Sequence, residues 1–246
     1  MNAVLFDNCI VPDWPAPARV RALVTTRAGG ASSGRYSSFN LGARVGDDTL
    51  AVRHNRALLR ELLPGEPVWL RQAHGRRVID AARAAREEEA DGAVARRPGA
   101  VCVVLTADCL PVLLCDREGG AVGIAHAGWR GLAGGVIESV VGAMGTAPRR
   151  IIAWLGPGIA QDAYEVGRDV VDAFVAADAN ARRAFSERAG GKYGADLYAL
   201  AGQRLEKCGV GEVYGGAFCT HRDSGRFFSH RRDGVTGRMA NLIWLE

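Results

Sequence analysis

Lysine is nearly absent from this chain: Lys192 and Lys207 stand against 29 arginines. Arginine used so heavily in place of lysine, in an alanine-rich sequence, reflects genome composition as much as selection for a basic surface. The formal charge of +4 is spread over arginines scattered among carboxylates. No basic stripe interleaved with aromatic residues exists, which argues against a nucleic-acid partner. Long hydrophobic runs are also missing. A membrane-spanning helix needs about 20 consecutive apolar residues, and the longest apolar stretches here fall well short of that. The first residues, MNAVLFDNCIVPDWPAP, lack a basic start, an apolar core and a small-residue cleavage site, so the expected compartment is the cytoplasm. No CxxC pair occurs among the six cysteines, and a chain of 246 residues has no need of a disulfide framework. Cys9, Cys102, Cys115 and Cys208 read as small buried apolar residues. Without repeats, low-complexity tracts or a linker, residues 1–246 are expected to form one domain.

What the chain does contain is a set of short apolar runs. VRALVTT (20–26) reads as a strand and is followed by a Gly/Ser-rich loop, RAGGASSGRYSSFNLG, longer and more polar than a simple connection needs. Asp47 and Asp48 can cap a helix over 48–63, whose Val52, Leu58, Leu59, Leu62 and Leu63 form an apolar stripe ended by Pro64 and Gly65. PVWLRQA, RVID, ADGAVA, AVCVVLTAD, PVLLCD and AVGIAHAG then follow in quick succession. Their length and continuous apolarity suit strands buried on both faces. RGLAGGVIESVVGAMG has helical spacing, RRIIAWLGPG returns to a strand, and helices are expected over 168–177 and 196–208. EVYGGAFC and ANLIWL read as the last strands. Strands concentrated in the middle, with helices inserted irregularly, indicate an α+β fold in which mixed β-sheets pack between α-helices, rather than a doubly wound fold.

Three residues stand out because each ends an apolar run and precedes a tight turn: His74 in LRQAHG, Cys109 in TADCLP and His126 in GIAHAGWRG. Two imidazoles and a thiolate can hold a zinc ion while leaving a coordination position open for water or substrate. The three lie 35 and 17 residues apart in sequence. Structural zinc sites use closely spaced cysteine pairs, so this dispersion favours catalysis.

Around these residues the sequence carries Gln72-Ala-His74, Asp91-Gly92-Ala93, Thr106-Ala-Asp108-Cys109-Leu-Pro111, His126-Ala-Gly-Trp129-Arg130-Gly131 and Gly156-Pro157-Gly158-Ile159. Near the C-terminus stand Phe228-Ser-His-Arg231-Arg232-Asp233-Gly234 and Thr236-Gly237-Arg238. Together these motifs resemble the YfiH family, also called the laccase-domain, polyphenol oxidase or peptidoglycan-editing-factor family, from Thr25-Thr26-Arg27 to the C-terminus. The resemblance implies that His74, Cys109 and His126 bind the metal. It further implies a zinc-dependent purine nucleoside phosphorylase acting on adenosine, inosine and S-methyl-5'-thioadenosine, with adenosine deaminase activity. His221, in CTHRDSG, departs from the family pattern without touching these motifs.

The residues themselves set limits on that chemistry. A zinc-bound water has its pKa lowered to about 7, which suits deamination. The H-x-E and P-C-x-x-C signature of zinc deaminases is absent, so an acid/base must come from elsewhere. Asp108, beside the thiolate, is the candidate, with a turn or supporting role as its alternative. Phosphorolysis needs donors for phosphate, and Arg27 and Arg130 offer guanidinium groups, each with a surface ion pair as its alternative. Asn40, Ser38 and Gln72 are candidates for hydrogen bonds to ribose or base, and Trp129 for stacking on a purine or filling the core. Cys219, His221 and His230 form a second group by residue type, read either as a further metal site or as a loop beside the active site, with Arg231, Arg232 and Arg238 as an anion-binding wall. A multicopper oxidase is disfavoured, since a copper centre at the trio leaves only three of the five histidines for all other coppers. Copper also fits the trio in place of zinc. Other readings are an amidase acting on a peptidoglycan precursor through zinc or the Cys109 thiolate, and a non-catalytic zinc-stabilised binding protein. The expected partners are a nucleoside and phosphate, and the expected assembly is a monomer or homodimer.

Overall fold

The computed structural model describes residues 3–85 and 87–246. In chain order its elements are α1 (Ala3–Asp7), β1 (Val20–Val24), α2 (Thr49–Arg60), β2 (Pro67–Val68), β3 (Val78–Asp80), β4 (Gly92–Ala95), β5 (Val101–Thr106), β6 (Leu110–Asp116) and β7 (Val122–Ala127). There follow α3 (Trp129–Gly134), α4 (Val136–Met144), β8 (Ile151–Leu155), β9 (Glu165–Val166), α5 (Arg168–Val175), β10 (Phe185–Glu187), β11 (Tyr193–Ala195), α6 (Leu197–Lys207), β12 (Glu212–Gly215), α7 (His230–Asp233) and β13 (Met239–Leu245).

The strands form a four-stranded sheet ordered β1-β13-β5-β2 and a six-stranded sheet ordered β12-β8-β6-β7-β4-β3. A small three-stranded sheet, β10-β11-β9, stands apart. The two larger sheets are mixed, with parallel pairs β2/β5, β3/β4 and β12/β8 and antiparallel pairs elsewhere. Between them lies an apolar layer in which Cys102, Val104 and Ile243 meet Leu113, Cys115, Ile124 and Trp154. The opposite face of the six-stranded sheet packs Val112, Leu114 and Ala125 against Leu132, Val136, Val140 and Leu205 of the helices. The outer face of the four-stranded sheet packs Val103, Leu242 and Trp244 against Phe39, Leu41 and Leu59. Helices therefore cover both outer faces, as an α+β fold with sheets between helices requires. Strands β6, β7, β8 and β13 are buried along their whole length, which is why their sequences do not alternate.

Several boundaries differ from the sequence expectation for local reasons. The helix over 48–63 begins after its cap, with Asp48 accepting from the Leu50 amide, and stops at Arg60. The helical run after His126 is two helices, because Gly135 adopts φ +95° between them. The 212–219 strand ends at Gly215, where Gly215 and Gly216 both take positive φ. No helix of the described residues is long and apolar enough to cross a membrane.

Candidate active site

The three residues converge. One ligand atom each from His74, Cys109 and His126 lies within 4.8 Å of the others, and no other group of three or more His, Cys, Asp or Glu side chains among the described residues does the same. Cys109 precedes β6, His126 lies within β7, and β6 and β7 pair antiparallel with Pro111 opposite His126. The thiolate and one imidazole are therefore placed by the sheet itself. Cys109 Sγ is 3.8 Å from His74 Nε2, and the two imidazole rings meet edge to face at 4.8 Å between centroids.

His74 comes from a loop, and a buried carboxylate fixes it. Asp91, 1% exposed, accepts the backbone N–H groups of Ala73 (3.1 Å), His74 (2.9 Å) and Gly75 (2.7 Å). The same carboxylate meets His126 Nδ1 at 2.8 Å. His74 sits at φ +59°, a left-handed conformation costing on the order of 1–3 kcal/mol for a non-glycine residue, and these three hydrogen bonds hold it there. With Nδ1 of His126 donating to Asp91, its Nε2 is left as the ligand atom, the usual arrangement of a carboxylate behind a metal-binding histidine. Sequence reasoning gave Asp91 no role. Its signal was its place in the Asp91-Gly92-Ala93 motif, ahead of the apolar Gly92–Ala95 run.

Two glycines of HAGWRG give the trio room. A Cβ on Gly128 would approach His74 Cδ2 to 2.8 Å and Cys109 Sγ to 3.0 Å, and one on Gly131 would meet the Gly75 carbonyl at 2.8 Å. Electrostatics also favour ligation. Burial opposes ionisation of Cys109, but the charge and hydrogen bond of His126, with a smaller contribution from His74, bring the thiol down to about 6. Burial likewise favours a neutral His126, yet the Cys109 thiolate and then Asp91 raise it to about 9. The donor set, the glycine cradle and the oriented histidine fit a metal ion of borderline softness.

The trio opens into a cavity of about 370 Å³ whose other walls include Gly42–Val45, Trp69, Gln72, Leu105–Ala107, His230 and Arg238. That is within the size range of small-molecule sites. Gln72 lines it, with its amide paired twice with the Leu105 backbone, at 2.9 and 2.7 Å. Asn40 is fully buried and bonds Gly42, Asp47 and the Arg238 amide, so it braces the wall from behind. Ser38 donates to the Arg27 carbonyl. Arg27 donates to the carbonyls of Ser37 and Ser224 and lies over the Phe228 ring, strapping two loops together outside the cavity wall. Arg130 is exposed, over the ring of Trp129, and is likewise absent from the wall. Asp108, at φ +94°, accepts from the Thr220 hydroxyl and the Arg231 amide, both at 2.6 Å, which is the anchoring alternative to its acid/base role. Cys219 and His221 do not gather with His230 around a common point; His230 reaches the cavity wall, as a loop beside the site would.

Comparison with known proteins agrees with this arrangement. Residues 21–246 match the family described as multi-copper polyphenol oxidoreductase laccase. A purine nucleoside phosphorylase of Pseudomonas aeruginosa is 52% identical over 238 residues, covering 96% of this chain and 98% of the relative. The purine nucleoside phosphorylase YfiH of Escherichia coli is 49% identical over 242 residues, covering 97% and 99%. Among solved structures, a Neisseria meningitidis protein superposes with a TM-score of 0.95 at 52% identity, covering 97% of this chain and 99% of its own. A Bacillus licheniformis hypothetical protein YfiH gives 0.86 at 32%, covering 92% and 93%. The single His/Cys cluster found among the described residues does not provide the several copper centres that the family description names. By sequence and by fold, the chain belongs to the YfiH, or laccase-domain, family.

Proposed function

We propose that this chain is a purine nucleoside phosphorylase, acting on adenosine, inosine and S-methyl-5'-thioadenosine with a zinc ion held by His74, Cys109 and His126. The observation that carries the reading is the convergence of this trio, with an oriented Nε2 on His126, in the wall of a cavity of nucleoside size, in a chain about half identical to relatives so named. Bound there, zinc would supply a Lewis acid beside the substrate.

Phosphorolysis exchanges the bond between ribose C1′ and the base nitrogen for one between C1′ and a phosphate oxygen, and the departing base takes up a proton. The protein's share is to hold the two reactants together and to oppose the charge that develops between them. Asp91 keeps His74 and His126 at fixed separation, and Gly128 leaves room beside His74 and Cys109. Gln72 and Asn40 support the reading as wall-builders, tying the 72–74 segment to Leu105 and the 40–42 segment to Arg238. Adenosine deamination belongs to the same proposal as a side activity.

The test is zinc-loaded protein with adenosine or inosine, with and without phosphate, following free base and ribose 1-phosphate. Phosphate-dependent release of both products, lost in His126→Ala, is expected. Turnover no greater than that of the variant would refute the reading.

A further inference from the structure

One arginine in the cavity wall is paired with none of the described carboxylates and leaves one edge of its guanidinium unbonded among the described residues. Arg44 and Arg71, which share that wall, are paired with Glu87 and Glu89 at 2.7 and 2.6 Å. Arg56 lies over the Trp69 ring and donates to the Leu41 carbonyl. Arg238 differs. Its Nη1 donates to the carbonyls of Thr236 and Gly237, at 2.8 and 2.9 Å, and none of the described carboxylates forms an ion pair with it. Among the described residues, Nε and Nη2 find no acceptor. Carbonyls satisfy two of its bonds but leave the charge, and a partly buried charge with no counterion in contact is costly. Withdrawal from water disfavours the cation, while the Cys109 thiolate and Asp108 favour it.

The surrounding chain is shaped to hold this side chain still. Asn40 Oδ1 accepts the amides of both Arg238 and Gly42, each at 2.9 Å, across 198 residues of sequence in the first case. A Cβ on Gly42 would come within 2.9 Å of Arg238 Cγ, so the stem lies flat on bare backbone. A Cβ on Gly237 would strike the Phe228 ring at 2.6–2.9 Å, which fixes the preceding turn. A rigid stem, a cation in a small cavity and an uncommitted Nε–Nη2 edge together describe a planar fork waiting for an oxyanion, the geometry that suits bidentate binding of phosphate oxygens.

We propose that Arg238 is the anion anchor of this site, its Nε–Nη2 edge taking the orthophosphate that phosphorolysis consumes and holding it in the same cavity as His74, Cys109 and His126. The identity of the anion rests on the phosphorylase reading; its charge and geometry rest on Arg238 alone. Asn40 is then a positioning residue that acts through Arg238. Arg27 and Arg130, which the sequence offered for this task, stand outside the cavity wall.

Orthophosphate binding to the zinc-loaded protein, followed by phosphorus NMR and calorimetry, tests the assignment without requiring turnover. Arg238→Gln should weaken phosphate binding about tenfold or more, as expected for loss of a charge-assisted pair. Where nucleoside is cleaved, KM for phosphate should rise by a similar factor with KM for nucleoside little changed. Arg238→Lys, which keeps charge and stem but not the fork, should fall between, and it decides the matter alone if circular dichroism shows Arg238→Gln to be unfolded. Arg130→Gln should bind phosphate as the wild type does. Unchanged phosphate affinity in the Arg238 variants, or no phosphate binding by the wild type, would overturn the proposal. Phosphate binding lost with Arg238 but no nucleoside cleavage by the wild type would instead count against the phosphorylase reading and leave the anion anchor standing.

Discussion

Asp91 Oδ1 lies 2.8 Å from Nδ1 of His126 and, on its other side, 2.9 Å from the backbone N–H of His74. A single carboxylate oxygen thus sets both imidazoles of the trio, one through its ring and the other through its backbone. The carboxylate is itself kept ionised: burial opposes the charge, but the hydrogen bond and charge of His126 and the amides of Gly75 and Ala73 hold its pKa below the ordinary aspartate value.

Replacing it should therefore damage the metal site more than the fold. Asp91→Asn keeps the shape but offers acceptors on only one side, and metal affinity is expected to fall about 10- to 100-fold, the range seen when such supporting partners are lost. Asp91→Ala, which also frees His74 from its left-handed backbone, should fall further. Competition with a chromophoric chelator measures both, and equal affinity in Asp91→Asn and wild type would remove Asp91 from this role.

Gly128 offers a cleaner perturbation because its φ of −64° is open to any residue. What alanine meets there is steric, His74 Cδ2 at 2.8 Å and Cys109 Sγ at 3.0 Å. Gly128→Ala should lower metal stoichiometry or affinity while shifting Tm by only a few degrees, since alanine at the N-cap of α3 costs on the order of 1 kcal/mol. Metal content by atomic emission, read beside a thermal melt, separates the two effects.

How far the sequence exposes this site depends on the kind of signal each residue leaves. His74, Cys109 and His126 are legible because each interrupts an apolar run at a turn, and β5 to β8 are legible because strands buried on both faces are written as unbroken apolar stretches. Asp91 is opaque: three of its partners are backbone amides 16 to 18 residues away, which have no side-chain signature, and the fourth, the His126 ring, lies 35 residues away. Arg27, Asn40 and Gln72 are conspicuous as polar residues in motifs, yet they bond the protein's own backbone, and nothing in residue type tells a ligand contact from a brace. The β9, β10 and β11 strands escape notice because they are two or three residues long and carry Glu165, Ser186, Glu187 and Gly194 in place of an apolar run.

Asp108 separates an anchor from an acid/base catalyst. Its two carboxylate oxygens accept from Thr220 and Arg231, joining the turn before β6 to the segment that leads to Arg238. Asp108→Asn turns one acceptor into a donor that faces either the buried Thr220 hydroxyl or the partly buried Arg231 amide, at a cost of about 1–3 kcal/mol. Tm should fall accordingly, while the pH-rate profile keeps its limbs. A limb of the profile that disappears in Asp108→Asn would restore the catalytic assignment.

Metal affinity should depend on pH in a direction fixed by the two ligands that share a proton equilibrium. Without metal, Cys109 ionises near pH 6 and His126 gives up its extra proton near pH 9. Between these values the empty site holds a thiolate and an imidazolium, so a metal must displace one proton, from His126. Below about pH 6 this pair must give up two protons, and above about pH 9 none. Because each displaced proton makes binding about tenfold stronger per pH unit, affinity should climb steeply at acid pH, less steeply through neutrality, and level off near pH 9. Calorimetric titration with zinc in buffers of different ionisation enthalpy counts the protons directly. Release of about one proton at pH 7.5 fits the thiolate–imidazolium pair; release of none would mean that His126 is already neutral, and a second proton would come from a Cys109 thiol or from a water ionised on the zinc.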